Sequence, residues 1–593
     1  MNQETIETKS CVQCSENFDI TQNDIEFLTS ISPVFQLAWE SAIGIGEKNG
    51  IADLWDWKIR YLIPAPSLCP DCRQMRRLAW RNERHLYKRK CDKTGKDIIS
   101  IYSPDKPYKV FANSAWWSDM WSPFDYSMNF DFNKSFFEQF DMLMRAVPKS
   151  ALNAWNDNIN CDYNNYISGS KDCYLNFWIE NCENVFYSSE TSQAKDSLNL
   201  YHSSNVQQSW FLDWSSNVYS SLYVENSNQI ANSLFVKWSK DVLNWIFCAN
   251  VDNKRYAVRN KEVSQDEFNA LYNSIKEKMK TYSWLRNLIW EFNEFKKTIP
   301  EINLEIYWSE NCTWNLINNS HDCEMCFSVV NSDKCRYVYD SFDAHSSSDA
   351  NFIWNRVNRL YDSINVFWCS NVAFSESIFE NSSSIFYSSD CTNNSSDLFG
   401  CVWLKSAKYC ILNKQYAKEE YEALVPRIIE HMRKHGEWWE FFPMAMSPFW
   451  YNETIAMEYY PVDRMDAINR TPTINWSDYE NPKPDVAKII PASKLPENIS
   501  DIPDDILNWA VECEVTNRPF RIIKQELEFY RKHGLPIPKR HPDQRHLDRM
   551  SLRNPRKLFD RKCAKCWIGI KTTYPPDRTE IICCAECFRR EMS

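Results

Sequence analysis

Eight of the chain's 23 cysteines are spaced for metal chemistry. Residues 563–587 read CAKCWIGIKTTYPPDRTEIICCAEC. Cys563 and Cys566 form one C-x-x-C knuckle, and Cys584 and Cys587 form a second. Two such knuckles can set four thiolates tetrahedrally around one Zn²⁺ while the loop between them folds back. Cys583 is a fifth thiol beside the second knuckle, and spacing alone does not choose between it and Cys584. A second complete set is Cys11, Cys14, Cys69 and Cys72, in CVQC and CPDC. We therefore expect two zinc ions, one at each end of the chain.

The two ends are copies of one module. A shift of 472 carries Cys91, Tyr102, Pro104 and Asp105 onto Cys563, Tyr574, Pro576 and Asp577. It also carries Arg73, Arg77, Arg81, Arg84 and Arg89 onto Arg545, Arg549, Arg553, Arg556 and Arg561. Before that stretch a shift of 502 aligns Cys11, Phe18 and Phe27 with Cys513, Phe520 and Phe529, so the first copy carries thirty extra residues within 29–62. Each module has two potential sites, and each copy keeps one. The counterparts of the first complete set are Cys513, Thr516, His541 and Gln544; those of the second are Cys91, Thr94, Ala112 and Ala115. Threonine and alanine offer no thiolate, so these two sets are not expected to hold zinc.

The elements carrying the knuckles are basic. Residues 73–90 hold eight Lys/Arg against one Glu, and residues 531–562 hold eleven against three Asp, in a chain of net charge −11. Met75, Leu78, Ala79 and Leu86 recur at helical spacing, which predicts a helix with its arginines outward. The named arginines are candidate anion or nucleic-acid contacts, because a guanidinium offers phosphate two parallel hydrogen bonds. They could equally meet the acidic body of the chain itself. The N-terminal residues lack the basic-then-apolar pattern of a signal peptide, and no apolar run reaches roughly 18 residues. The expectation is a cytoplasmic protein without membrane contact, whose cysteines are zinc ligands and small core residues rather than disulfides.

Between the modules, short apolar pairs alternate with Ser/Asn/Asp turns. Units begin at Ser170, Cys182, Ala194, Ser204, Ser216, Ser227 and Ser239, ten to twelve residues apart, and the texture returns over about 305–412. Each unit has room for one strand and one turn, so two units would make a coil of about 23–24 residues. Residues 248–271 align without gaps to 401–424, placing Asn260 and Lys261 on Asn413 and Lys414. Each array should therefore end in a strand, an Asn-Lys turn and a capping helix. The predicted fold is mainly β: a two-part, β-helix-like β-solenoid with helical caps, flanked by two small treble-clef or zinc-ribbon-like modules. The expected boundaries are 1–117 (N-terminal zinc module), 118–150 (connector), 151–300 and 301–436 (capped solenoids), 437–510 (Pro-rich linker, ending in a helix at DDILNWAVECEV) and 511–593 (C-terminal zinc module).

No catalytic set stands out. Cys323 and Cys326, with His321 nearby, form a lone knuckle best read as core packing, and the acids of the arrays sit in turns. Glycine is scarce: 9 Gly stand against 26 Trp, where about 7% glycine is usual. Trp567 falls on Gly95, just after a knuckle, and Trp214 and Trp450 lie in glycine-like contexts. A host that reads UGA as glycine would explain this, with those tryptophans being glycines in the native protein.

The stretches RRLAWRNERHLYKRKCDKTGK, FFPMAMSPFWYNET and HPDQRHLDRMSLRNPRKL resemble a family of cysteine-rich proteins from small-genome candidate-phyla bacteria. In that family treble-clef or zinc-ribbon modules flank a repeat body, and some members read UGA as glycine. The resemblance spans nearly the whole chain and implies zinc binding and a cytoplasmic location, without a particular activity. The expected function is a zinc-binding, non-enzymatic scaffold with a protein partner. Nucleic-acid binding through the basic modules is the alternative, and a β-helix enzyme acting on carbohydrate a more distant one.

Overall fold

A corner at every third residue organises the body of this protein. In the computed structural model, which describes residues 4–36, 54–55, 58–155, 157–470 and 474–592, every third residue from Asp172 to Arg259 has positive φ. Asn and Asp enter that left-handed region more readily than other side chains, and Asn181, Asn184, Asp196, Asn199, Asn205 and Asn217 are among those that occupy it. The composition rich in Asn and poor in Gly is thus the composition of the corners.

Four such corners bring the chain back into register with itself after twelve residues. Leu198 pairs with Trp210, Leu222 with Leu234 and Leu234 with Ile246, all in parallel. Ser204 likewise pairs with Ser216, Ser216 with Asn228 and Asn228 with Lys240. Each twelve-residue repeat supplies two four-residue strands, as in Leu222–Glu225 and Asn228–Ala231. This corrects the expectation of one strand per unit and a repeat of 23–24 residues. Pairing in this first ladder closes through seven strands, from Ser189–Gln207 by way of Lys240–Ala249 and back. The second ladder, from Ile306 to Ile411, keeps the same parallel register, with repeats of eleven and thirteen residues at Ile306↔Ile317 and Ser370↔Ser383.

The residue after each corner points inward, and serine alternates there with an aliphatic side chain. Leu200, Val206, Leu212, Val218 and Val224 are buried, as are Ser203, Ser209, Ser215 and Ser221 between them. The Ser209 hydroxyl donates to the Gln207 carbonyl at 2.8 Å and accepts from the Ser221 N–H at 3.2 Å. Ser221 repeats the pattern with Tyr219 and Ser233. Buried backbone N–H groups need partners; the hydroxyls supply them, and the aliphatic positions supply apolar burial.

Both ladders end as the duplication predicts. Ala257 and Val258 turn back antiparallel onto Glu262 and Lys261; Cys410 and Ile411 do the same onto Gln415 and Lys414. Asn260 accepts the Ala249 N–H at 2.9 Å, and Asn413 accepts that of Val402 at 2.8 Å. Helices then follow: Gln265–Met279 and Tyr282–Lys296 after the first ladder, Lys418–Lys434 after the second. Phe292 packs on the Tyr223, Phe235 and Phe247 rings.

The chain divides into two units, each drawn from two separate segments. One unit holds Met1–Ala151 and Glu305–Tyr479, so the N-terminal module shares it with the second ladder. The other holds Leu152–Leu304 and Glu480–Ser593, joining the C-terminal module to the first ladder. The Pro-rich stretch 437–510 is not an extended linker: Trp438, Phe441, Phe442 and Tyr451 are buried in the first unit's core. The helix expected at DDILNWAVECEV is a 3-10 turn over Asp504–Asn508 that gives way to a strand, Trp509–Glu512, paired with Lys488–Pro491. Residues 37–53 and 56–57 of the thirty-residue insertion lie outside the described residues.

Tryptophan collects at the corners. Of the eleven tryptophans in the ladders, Trp178, Trp214, Trp238, Trp308, Trp314, Trp368 and Trp403 have positive φ, and Trp155, Trp210, Trp245 and Trp354 do not. One ladder position in three is a corner, so seven in eleven is an excess, and a bulky side chain disfavours this region. Gly169 and Gly400 occupy the same kind of position. Outside the ladders, Trp567 has φ +63 and is 72% exposed, matching Gly95 at φ +71. Trp450 does not fit: its φ is −81, and its indole N–H donates to Asp105 at 2.8 Å. Mass spectrometry of peptides from the native host is expected to show glycine at Trp567 and at the corner positions. Tryptophan there would end the UGA explanation.

Candidate metal centres

Both complete cysteine sets converge. The four sulfurs of Cys11, Cys14, Cys69 and Cys72 lie within 4.8 Å of one another, as do those of Cys563, Cys566, Cys584 and Cys587. Within the sets, Cys14 and Cys69 are 3.6 Å apart and Cys566 and Cys584 are 3.7 Å apart. A tetrahedral ion with metal–sulfur bonds of roughly 2.3 Å puts its ligand sulfurs about 3.8 Å apart. Each cluster can therefore hold a metal ion. In each, three cysteines are buried and one, Cys14 or Cys566, is exposed.

The positioning elements are the same at both ends. Cys11 and Cys14 sit in the tight loop between strands Thr5–Ser10 and Asn17–Thr21; Cys563 and Cys566 sit between Phe559–Lys562 and Gly569–Thr572. The Cys11 N–H donates to Glu16 O at 2.9 Å and the Cys563 N–H to Ile568 O at 2.9 Å, closing each loop. The other pair opens a helix. Cys69 caps α1 (Pro70–Leu78) and Cys72 lies in its first turn; Cys584 and Cys587 do the same for Ala585–Met592. A helix N-terminus favours negative sulfur. The Cys584 N–H donates to the Cys563 sulfur at 3.3 Å. Cys583, the competing thiol, is outside the cluster, in a short strand paired with Ile302.

The thiols are electrostatically coupled. The Cys72 side chain, donating to Cys69, brings Cys69 down to about 5, while burial pushes Cys14 up to about 11. At the other end burial pushes Cys563 up, but the N–H groups of Cys566, Cys584 and Lys565 outweigh it and bring it to about 6. A divalent cation is the charge that would let all four sulfurs ionise together.

The degraded sets keep the scaffold without the ligands. The Cys91 sulfur accepts the Thr94 and Ala112 N–H groups at 3.4 and 3.2 Å, the latter matching the Cys584 bond at the other end. His541 caps α2 (Pro542–Met550) where Cys69 caps α1, and its Nδ1 accepts the Asp543 N–H. Neither degraded set forms a group that could hold a metal among the described residues.

The arginine faces point inward, correcting the outward expectation. Arg73 makes a bidentate pair with Asp349 at 2.7 and 3.0 Å. Arg77, at 0% exposure, bonds Asp362 at 2.8 Å and Asn351 at 3.1 Å. Arg81 reaches Asn365 at 3.1 Å, with its guanidinium 3.9 Å from the Phe352 ring centre. All five of these partners belong to the second ladder, which packs against α1; Arg81 also pairs with Glu83. In the other unit Arg545 lies over Tyr187 at 4.1 Å and bonds Glu526, Arg549 bonds Asn199 and the Tyr187 carbonyl, and Arg553 lies over Tyr201. Arg84, Arg89, Arg556 and Arg561 are half-buried. Arg76, which the spacing argument passed over, bonds both Asp362 and Glu440.

No family model matches this chain, and no curated protein does. Among solved structures, a provisionally named acetyltransferase from Desulfovibrio desulfuricans G20 is 7% identical, covering 48% of this chain and 79% of its own. UDP-N-acetylglucosamine acyltransferase from Campylobacter jejuni is also 7% identical, covering 55% of this chain and 99% of its own. Both have a TM-score of 0.09, at which likeness carries no argument about fold or function.

Proposed function

We propose that this protein is a non-enzymatic cytoplasmic scaffold held by two zinc ions, in which each zinc module clamps a β-solenoid built of twelve-residue coils. Zinc suits both clusters because it takes four thiolates at tetrahedral geometry without redox chemistry. The observation that carries the scaffold reading is the use made of α1: its buried guanidinium groups are bonded to Asp349 and Asp362 of the adjoining ladder. A basic helix whose forks are filled from inside has that much less to offer a phosphate backbone. The exposed ladder flanks, with amide pairs such as Asn205–Asn217 and Asn319–Asn331 at 2.7 Å, are left for a protein partner.

Two measurements on the full chain test this. Elemental analysis is expected to find two zinc ions per chain. A gel shift at low salt is expected to show no retention of single- or double-stranded RNA or DNA. Retention that weakens steeply as salt rises, as counterion release requires, would put nucleic-acid binding first instead.

A further inference from the structure

Both ladders open on cysteines stacked in adjacent repeats. In the first, Ile159 bridges Lys171 in parallel, so Cys161 and Cys173, two positions on in each strand, lie side by side. In the second, Glu310 bridges His321 and brings Cys312 beside Cys323 in the same way. The surroundings repeat closely. The Cys161 and Cys312 sulfurs each lie 3.2 Å from the carbonyl two residues back, of Ile159 and Glu310. They lie 3.6 and 3.4 Å from carbonyls of the next repeat, Ser170 and Ser320. The second cysteine of each pair repeats the pattern, with the Cys173 sulfur 3.3 Å from the Lys171 carbonyl and the Cys323 sulfur 3.4 Å from that of His321.

This geometry is that of a cross-link waiting to form. Paired parallel strands lie about 4.8 Å apart, inside the roughly 4.4–6.8 Å between Cα atoms that a disulfide spans. The location also matters. A leading repeat is paired on one side only, so opening of a ladder starts there. Deeper in the first ladder the same column carries Val185, Ser197 and Ser209 instead.

We propose that Cys161–Cys173 and Cys312–Cys323 are redox sites, each forming a disulfide by exchange with an oxidised low-molecular-weight disulfide and so stapling the leading repeat of its ladder to the next. Cys312 is half-buried and is the entry point in the second ladder. Its thiolate attacks the small disulfide, forming a mixed disulfide and releasing one small thiol. The Cys323 thiolate then attacks the Cys312 sulfur and releases the second. Two protein thiols are oxidised, the small disulfide is reduced to two thiols, and the two protein protons end on them. Hydrogen bonds from Cys326 and Cys335 hold Cys323 down at about 4 as the resolving thiolate, while burial pushes Cys312 up to about 11, so the first attack is the slower step. In the first ladder the order of acidity is reversed: Cys161 is the lowered thiol and attacks the small disulfide, and Cys173, raised by its hydrogen bond to Cys161 and by burial, resolves the mixed disulfide.

The test treats zinc-loaded full-length protein with oxidised glutathione, alkylates the remaining thiols, and digests without reduction using trypsin and chymotrypsin. Peptides joining Cys161 to Cys173 and Cys312 to Cys323 are expected, each two hydrogens lighter than the sum of its parts. C312S should lose the second linkage and keep the first. Hydrogen exchange at the Lys171 and Asp172 amides, which bond Cys182 O and Ile159 O, should slow at least tenfold on oxidation and stay unchanged in C161S. The proposal is overturned if all four cysteines remain alkylatable after treatment, if linked peptides come only from the metal clusters, or if the linkages form without slowing exchange.

Discussion

C566S is expected to halve the metal content, from two ions per chain to one, and to unfold the knuckle that begins at Cys563. The substitution is nearly isosteric and the side chain is exposed, so no core packing is lost. What is lost is one of four thiolates. Metal binding contributes on the order of 10–16 kcal/mol to small Cys-rich folds, and this module has little else: its apolar cluster is Cys563, Ile570, Tyr574, Ile582 and the other buried cysteines. The effect should reach the Tyr574 hydroxyl, bonded to Glu301 at 3.2 Å, and the pairing of Glu301 with Ile582. Two controls separate ligand loss from thiol loss. C583S removes a buried thiol outside the cluster, and C91S removes the surviving thiol of a degraded site; both should keep two ions. Elemental analysis with limited proteolysis decides it. A C566S protein that retains both ions and a protected C-terminus would refute the four-thiolate site.

The parts legible in the sequence were local ones. A C-x-x-C pair lies within one tight loop, so spacing alone nearly determines where Cys11 and Cys14 or Cys563 and Cys566 go. The internal copies added a control, showing which positions had lost a ligand. The Asn-Lys turns at Asn260 and Asn413 were legible for the same reason: the bond each asparagine makes is to the backbone eleven residues back. The direction of the arginines was not legible. Arg73 and Asp349 are 276 positions apart, and helical periodicity treats an arginine as outward whatever carboxylate waits for it. The twelve-residue repeat was also half hidden. The unit spacing was visible, but a corner every third residue on side chains such as Tyr223 and Phe235 contradicts ordinary propensity, so four corners per repeat could not be inferred. The stretch around Trp438, Phe441 and Phe442 packs residue by residue, without the periodicity that would have marked it as core.

R77A is expected to destabilise its unit by about 3–5 kcal/mol, the usual cost of leaving a buried ion pair half made. The Arg77 guanidinium is fully buried and lies 2.8 Å from Asp362 and 3.5 Å from Asp349. Asp362 keeps Arg76 at 2.6 Å after the change, which places the loss toward the lower end of that range. R549A, the matching change in the other unit, should cost about 1–3 kcal/mol through its bonds to Asn199 and the Tyr187 carbonyl. Both substitutions share the lost helix packing, so a larger loss in R77A reports the carboxylates it is bonded to. Salt adds a second discriminator. A buried pair is screened far less than an exposed one, so the R77A loss in urea unfolding should be the same at low and high ionic strength. The double variant R77M/D362L, which removes both charges and keeps apolar volume, should recover much of what either single change loses. If the R77A loss vanishes in high salt, the arginine face is not a buried clamp, and its guanidinium groups return to consideration as a surface for phosphate.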